Sequence, residues 1–272
     1  MKLGLPLILP GLLAGYIFLF LALEQQTAVA RQDISPALPN RVLHVLGHSY
    51  LNQIIAEALF IKTAVYYGGL EKEVDEGNLA IMEQHFIAMN ELHPKMLDIY
   101  YRAQTVLAHR GDAYARSANR ILENGRSIFP NQIELPFFEG FNYFRYLRDP
   151  AKAAEVLRIG SQIPGSPRWI GHLASMLAAE GGNIRTGLVW LQGMLATSTD
   201  EVAKQRYRGE IKVFEQALRV QMALERYIQN QSLPPETLNE LVPEYISQLP
   251  LLKKGYRLEY RSPSLYLKKE RQ

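Results

Sequence analysis

Ile99-Tyr100-Tyr101-Arg102-Ala103-x-x-Val106-Leu107 returns as Pro136-Phe137-Phe138-Glu139-Gly140-x-x-Tyr143-Phe144, and this recurrence decides the fold. Each copy sets aromatics one turn ahead of a small residue, follows with a bulky pair, and ends near Asp112 or Asp149. The next helix recurs too. Ala118-x3-Leu122-x2-Gly125 comes back 35 residues later as Ala153-x3-Leu157-x2-Gly160, and 34 later as Gly187-x3-Leu191-x2-Met194. The spacing predicts a helix pair copied about three times between 94 and 198. One such pair cannot bury its apolar face alone, so neighbours stack into a solenoid. Solenoids of this period present long surfaces to other proteins, which points to binding rather than chemistry.

Within the copies, Ala103, Gly140 and Ala174 are aligned where the two helices of a hairpin come closest. A larger side chain there would cost about 1–3 kcal/mol by overpacking. For Gly140 the expected neighbours are Ala153 and Leu157, and alanine is expected to be tolerated because Ala103 and Ala174 fill the matching places. Pro130, Pro164 and Pro167 punctuate the copies, and Gly181-Gly182-Asn183 turns the third hairpin.

Upstream, Leu3 to Leu23 runs without a charge, long enough as a helix to cross a bilayer. Lys2 precedes it and Glu24 follows, so the positive-inside rule places the amino terminus in the cytoplasm. Residues 1–24 are therefore expected to be a transmembrane anchor. Ala28-Val29-Ala30 also has the form of a signal-peptide cleavage site, and that second reading exports the rest of the chain equally. A linker over 25–40, carrying Pro36 and Pro39, leads to two helices over 41–93. The first keeps near-helical spacing through Leu51, Ile54, Ile55, Ala58, Leu59 and Val65, and the second through Leu79, Met82, Phe86 and Met89.

After the repeats, 199–232 reads as one long helix with Val213, Phe214, Ala217, Leu218, Met222 and Leu224 apolar amid charges, suited to cap a solenoid. The remainder, 233–272, holds a short helical stretch and then a β-hairpin, in which Tyr256, Leu258 and Tyr260 alternate before a Ser-Pro-Ser turn. The chain's formal charge of +3 is uneven, because Lys253, Lys254, Arg257, Arg261, Lys268, Lys269 and Arg271 crowd its end. These cations suit anionic lipid or a partner, or form a solvated tail; a nucleic-acid binder would be basic throughout.

Little in the sequence supports catalysis. Cysteine is absent, which excludes disulfides, thiol chemistry and cysteine-held metal centres. His44 and His48 stand at i and i+4, but Val45 takes the place where a zinc protease carries glutamate. No nucleophile elbow, phosphate loop or dinucleotide fingerprint occurs. The expectation is no catalytic residue, no metal, no cofactor, no nucleic acid and no small-molecule substrate.

Residues 94–198 resemble degenerate tetratricopeptide repeats (TPR), with Ile99, Pro136 and Ile170 where the family usually has tryptophan. The whole arrangement is similar to bacterial single-span membrane proteins that carry such repeats. The resemblance implies an all-α, TPR-like helical-hairpin solenoid with a transmembrane anchor and a small β-hairpin. It implies a scaffold in the inner membrane, its C-terminal domain in the periplasm, that joins other envelope proteins in a secretion or pilus-like assembly. A periplasmic hydrolase or chaperone-like factor on the same frame is the alternative. A segment from Leu233-Pro234 to Leu249-Pro250, followed by Gly255-Tyr256, is also similar to one that precedes the hairpin of secretion pseudopilins. In a TPR geometry the groove falls to Tyr100, Gln104, Phe137, Phe141, Phe144, Arg145, Arg168 and Ser175, an aromatic floor with arginines at its rim. The competing expectation is that the long helix of 200–230 already fills that groove.

Overall fold

The computed structural model describes residues 50–69 and 74–270, together with Tyr16, Ile17 and Ile34. The expected anchor at Leu3–Leu23, apart from Tyr16 and Ile17, lies outside these residues, as do His44 and His48. Among the described residues no helix is long and apolar enough to cross a membrane. These residues form nine α-helices and one two-stranded antiparallel sheet. The chain divides into two compact units, Met1–Ile99 and Tyr100–Gln272.

In the first unit, α1 (Tyr50–Gly68) packs on α2 (Glu76–Leu92). Asp75 caps α2, its carboxylate accepting from the Asn78 N–H at 3.0 Å. The stripe expected on α2 is the buried one: Leu79, Met82, Phe86 and Met89 are all inside. On α1 the expected stripe is split, with Ile55 and Leu59 half-buried. Ala56, Thr63 and Tyr66 face inward, while Leu51, Ile54, Ala58 and Val65 are exposed. Thr63 belongs to the inner face because its hydroxyl donates to the Leu59 carbonyl at 2.8 Å and lies 3.1 Å from Nδ1 of the buried His85.

Three helical hairpins come next: α3 (Leu97–Leu107) with α4 (Asp112–Ile128), α5 (Glu134–Arg145) with α6 (Pro150–Ser161), and α7 (Arg168–Glu180) with α8 (Ile184–Thr197). Their starts are set by local chemistry. Asp149 accepts from the Lys152 N–H at 3.0 Å with Pro150 in the first turn, and Asn183 accepts from the Thr186 N–H at 3.2 Å. Successive helices from α4 to α9 pack on one another, and α3 joins α4 where the Tyr100 ring lies against Gly125.

Burial corrects the alignment of the middle copy by one residue. Leu135, Glu139 and Asn142 are buried in step with Ile99, Ala103 and Val106 of α3, and with Ile170, Ala174 and Leu177 of α7. Glu139, not Gly140, thus occupies the place of Ala103 and Ala174. Gly140 does make the close approach expected of it. A β-carbon there would fall 2.6 Å from Leu157 Cγ and 3.3 Å from the Ala153 carbonyl oxygen. The tolerance expected for alanine is therefore overturned, since either the buried Leu157 or the helix must move.

The long helix α9 (Glu201–Gln231) starts at Asp200, which accepts from the Val202 N–H at 2.9 Å. Its apolar face, from Tyr207 through Phe214 and Val220 to Leu224, shares one core with Ile184 and Leu191 of α8. A 3₁₀ turn (Leu238–Leu241) and the strands β1 (Tyr256–Arg261) and β2 (Ser264–Lys269) complete it. Leu258 pairs with Leu267 and Tyr260 with Leu265 across the hairpin. The strand alternation pays off on one face only: Leu265 and Leu267 are buried with Leu241 in the α9 core, so the basic end is folded against the helices.

Candidate partner-binding surface

Helix α5 buries two polar side chains, Glu139 and Asn142, beside apolar ones and carries its aromatics around the rest of its circumference. Its sequence, Glu-Leu-Pro-Phe-Phe-Glu-Gly-Phe-Asn-Tyr-Phe-Arg, sends Leu135, Pro136, Glu139, Gly140 and Asn142 inward. Helical spacing then leaves Phe137, Phe138, Phe141 and Phe144 on the remaining arc. These rings join a ladder across three successive first helices. Tyr101 of α3 stands edge-on to Phe138 at 6.0 Å between centroids, Phe138 lies 5.8 Å from Phe137, and Phe137 stands edge-on to Trp169 of α7 at 5.4 Å. Gln132 fixes one end by donating to the Tyr101 hydroxyl oxygen at 2.6 Å. At the surface, Trp169 is 50% exposed and Phe141 40%. Exposed aromatic rings of this size are what a polypeptide partner buries.

Beneath the ladder a buried polar network locks α3, α4 and α5 together. The fully buried Asn142 amide donates to Gln104 Oε1 at 2.6 Å and to Asn119 Oδ1 at 2.8 Å, and accepts from Gln104 Nε2 at 3.0 Å. Every hydrogen-bonding hydrogen of that amide is used, which fixes the rotation of α5 about its own axis. Glu139 meets Arg126 of α4, with Nε 2.6 Å from Oε2 and Nη2 donating to Oε1 at 3.5 Å. Burial pushes the Glu139 carboxyl up to about 7, and the Arg126 charge only partly offsets it.

On α7 the corresponding face is covered. Glu210 of α9, itself buried, lies 2.6 Å from His172 Nε2, accepts from the Tyr256 hydroxyl at 3.1 Å, and pairs with Lys269 at 3.3 Å. Burial pushes Glu210 up, but the His172 hydrogen bond and charge, Lys269 and the Tyr256 hydroxyl outweigh it and hold the carboxyl below its ordinary value. Helix α9 and the strands therefore cover this side of the third hairpin, whereas on α5 Phe141 is left exposed and Phe137 and Phe138 are half-buried.

The residues expected to line the groove divide accordingly. Phe141 and Arg145 are exposed on α5, whereas Phe137 and Phe144 are half-buried and pack against the core of Ala153, Leu157, Ile170 and Ala174. Gln104 belongs to the polar network. Tyr100 is buried against Gly125 and Phe129, and Ser175 is buried on α7, donating to the Gly171 carbonyl at 3.1 Å. Arg168 is exposed and reaches across to the Ser198 hydroxyl at 3.0 Å. Of the basic residues, Lys253 and Lys254 are exposed, and Lys269 is held by Glu210. Arg257, Arg261 and Lys268 gather about Glu259, Lys268 at 2.9 Å and Arg257 at 3.9 Å. Arg261 and Lys268 also line a cleft of about 780 Å³ with Phe144, Arg145, Arg148 and Tyr266.

Sequence reasoning passed over Trp169, Glu139 and Glu210. Trp169 was legible as one of only two tryptophans, set in the first turn after Pro167. Glu139 is a charge at helical spacing among inward residues, a signal that alignment by residue size hides. Glu210 carries none, since acids are common along α9. Among the described residues no three metal-ligating side chains converge. No protein-family model matches the sequence, and no curated protein and no solved structure is significantly similar to it.

Proposed function

We propose that the chain is a TPR-like repeat scaffold that holds a protein partner on the aromatic ladder of Tyr101, Phe138, Phe137 and Trp169, with Phe141 alongside. The observation that carries this reading is that Glu139 and Asn142 of α5 are buried while Phe141 of the same helix and Trp169 beside its rings are exposed. A helix rarely holds acid inside and rings outside unless its outer face is covered in use. Three hairpins in series and the near-34 period support the repeat assignment. The bound segment is an extended or helical peptide with apolar anchors, and Arg145 stands beside the rings to meet its acidic groups. The uncharged run at Leu3–Leu23 supports attachment to the bacterial inner membrane with the repeats in the periplasm, among the proteins of an envelope, secretion or pilus-like assembly.

Site-specific photo-crosslinking in cells tests the binding surface. A photoreactive residue replacing Phe141 or Trp169 should give a discrete protein adduct, and one at the exposed Glu155 of α6 should not. Equal adducts at all three positions, or none at the ladder, would remove the reading. For topology, alkaline phosphatase fused after Gln272 should be active, and an inactive fusion would reverse the orientation.

A further inference from the structure

The turn between α5 and α6 carries an arginine where its counterparts carry glycine. In each of the three hairpins a residue with positive φ precedes the acid or amide that opens the second helix: Gly111 (107°) before Asp112, Arg148 (53°) before Asp149, and Gly182 (87°) before Asn183. A side chain in this left-handed region crowds its own backbone, which is why glycine is the usual occupant. Arg148 thus costs the turn stability that glycine would restore, and such a residue needs a use elsewhere. Its side chain is exposed and lines the cleft of about 780 Å³ at the end of α5.

That cleft is cationic on both walls. One wall holds Arg145 and Arg148, and among the described residues neither guanidinium is paired with a carboxylate. The other holds Arg261 and Lys268 of the strands, where the one Glu259 carboxylate is shared among Arg257, Arg261 and Lys268. Arg261 also lies over the Tyr266 ring, 5.8 Å from its centroid. Two acids line the cleft as well: Asp149, which caps α6, and Glu180 of α7. Four cations against two carboxylates leave it net positive, and Phe144 and Tyr266 add ring surface.

We propose that this cleft binds an acidic segment of the protein partner, its carboxylates meeting Arg145 and Arg148 and its apolar side chains meeting Phe144 and Tyr266. Such binding deepens the scaffold reading, on which it rests. Phe144 and Arg145 are the next turn of α5 beyond Phe141, so a peptide anchored on the rings continues into the cleft. A guanidinium matches a carboxylate with two parallel hydrogen bonds. A run of phosphates would bring its dense charge onto Asp149 and Glu180, whereas a peptide spaces its carboxylates among neutral groups.

Fluorescence anisotropy of a labelled hexaglutamate peptide, with the full chain in mild detergent, tests this. Hexaglutamate should bind and be released as salt rises, and hexaglutamine should not bind. Arg145→Gln combined with Arg148→Gly should weaken binding by about tenfold. Arg148→Gly alone should weaken it while leaving the thermal midpoint unlowered, because glycine suits the left-handed turn. No binding of hexaglutamate, equal binding of hexaglutamine, or an affinity unchanged in the double variant would overturn the proposal. Short-chain phosphatidylglycerol bound in place of hexaglutamate would assign the cleft to lipid headgroups and overturn it too. A lowered midpoint in Arg148→Gly would assign the arginine to the fold. Photo-adducts at Phe141 and Trp169 are scored separately. Adducts without hexaglutamate binding would remove the cleft proposal and leave the ladder standing, and hexaglutamate binding without adducts would remove the ladder alone.

Discussion

Gly140 and Leu157 stand so close that a β-carbon on the glycine would fall 2.6 Å from Leu157 Cγ. Two effects oppose one another in Gly140→Ala. Helix propensity favours alanine by about 1 kcal/mol. Overpacking costs about 1–3 kcal/mol, and here the neighbour is a buried branch point rather than a flexible tip. The clash should win, lowering the thermal midpoint by a few degrees. Leu157→Ala in the same chain should relieve it, so the double variant should be less destabilised than the sum of the two single ones. Additive effects in the calorimeter would show that the helices separate freely.

Phe141→Ala and Trp169→Ala remove the exposed ring beside the ladder and the exposed ring at its end. Each should change stability by less than about 1 kcal/mol, far below the 3–5 kcal/mol typical of a buried ring. Partner adducts from a photoreactive group at Phe138 should fall sharply in both variants. A large drop in thermal midpoint with adducts retained would mean that these rings serve the fold.

Glu139 gives a pH dependence of unusual sign. Its folded carboxyl titrates at about 7 against an ordinary 4.5, so between these values the folded state holds a proton that the unfolded state has lost. Stability should then fall as pH rises from about 4.5 to 7 and level off above, by an amount on the order of 3 kcal/mol. Glu139→Gln should flatten that slope and raise the melting temperature at pH 8. Urea melts at closely spaced pH values would expose the effect, and an unchanged slope in the variant would assign it elsewhere.

Glu210 acts in the opposite direction. Its folded carboxyl is held low, so its contribution is complete above the ordinary carboxylate range and is lost as pH falls through the folded value. Glu210→Ala strands His172, Lys269 and the Tyr256 hydroxyl together. Breaking a buried ion pair in this way costs about 3–5 kcal/mol. The strands should loosen first, so trypsin should cut at the exposed Lys253 and Lys254 faster than in the native chain. Unchanged cutting would show that Leu265 and Leu267 hold the hairpin unaided.

Local chemistry made most of the helices readable. Proline and glycine stop them, Asp149 and Asn183 start them, and alternation at Tyr256, Leu258 and Tyr260 marks a strand. What stayed hidden depends on neighbours distant in sequence. The stripe from Leu51 to Val65 has helical spacing whichever side meets α2, and Thr63 settled the side by meeting His85. Ser175 lies on the expected groove face of α7, yet the Glu210 contacts of α9 cover that face. Glu139 went unnoticed because residue size favours Gly140 as the counterpart of Ala103, and nothing local reveals that Arg126 waits on α4 of the preceding hairpin.

The cover that α9 and the two strands lay over the third hairpin also closes one end of the array. A bare terminal repeat is a template on which the next molecule's first repeat can dock, and such head-to-tail docking has no natural stopping point. Here that template is occupied by α9 and by Leu241, Leu265 and Leu267 of the following turn and strand. The last hairpin is therefore closed by the same chain, and its apolar face is spent on α9 rather than left for a further repeat.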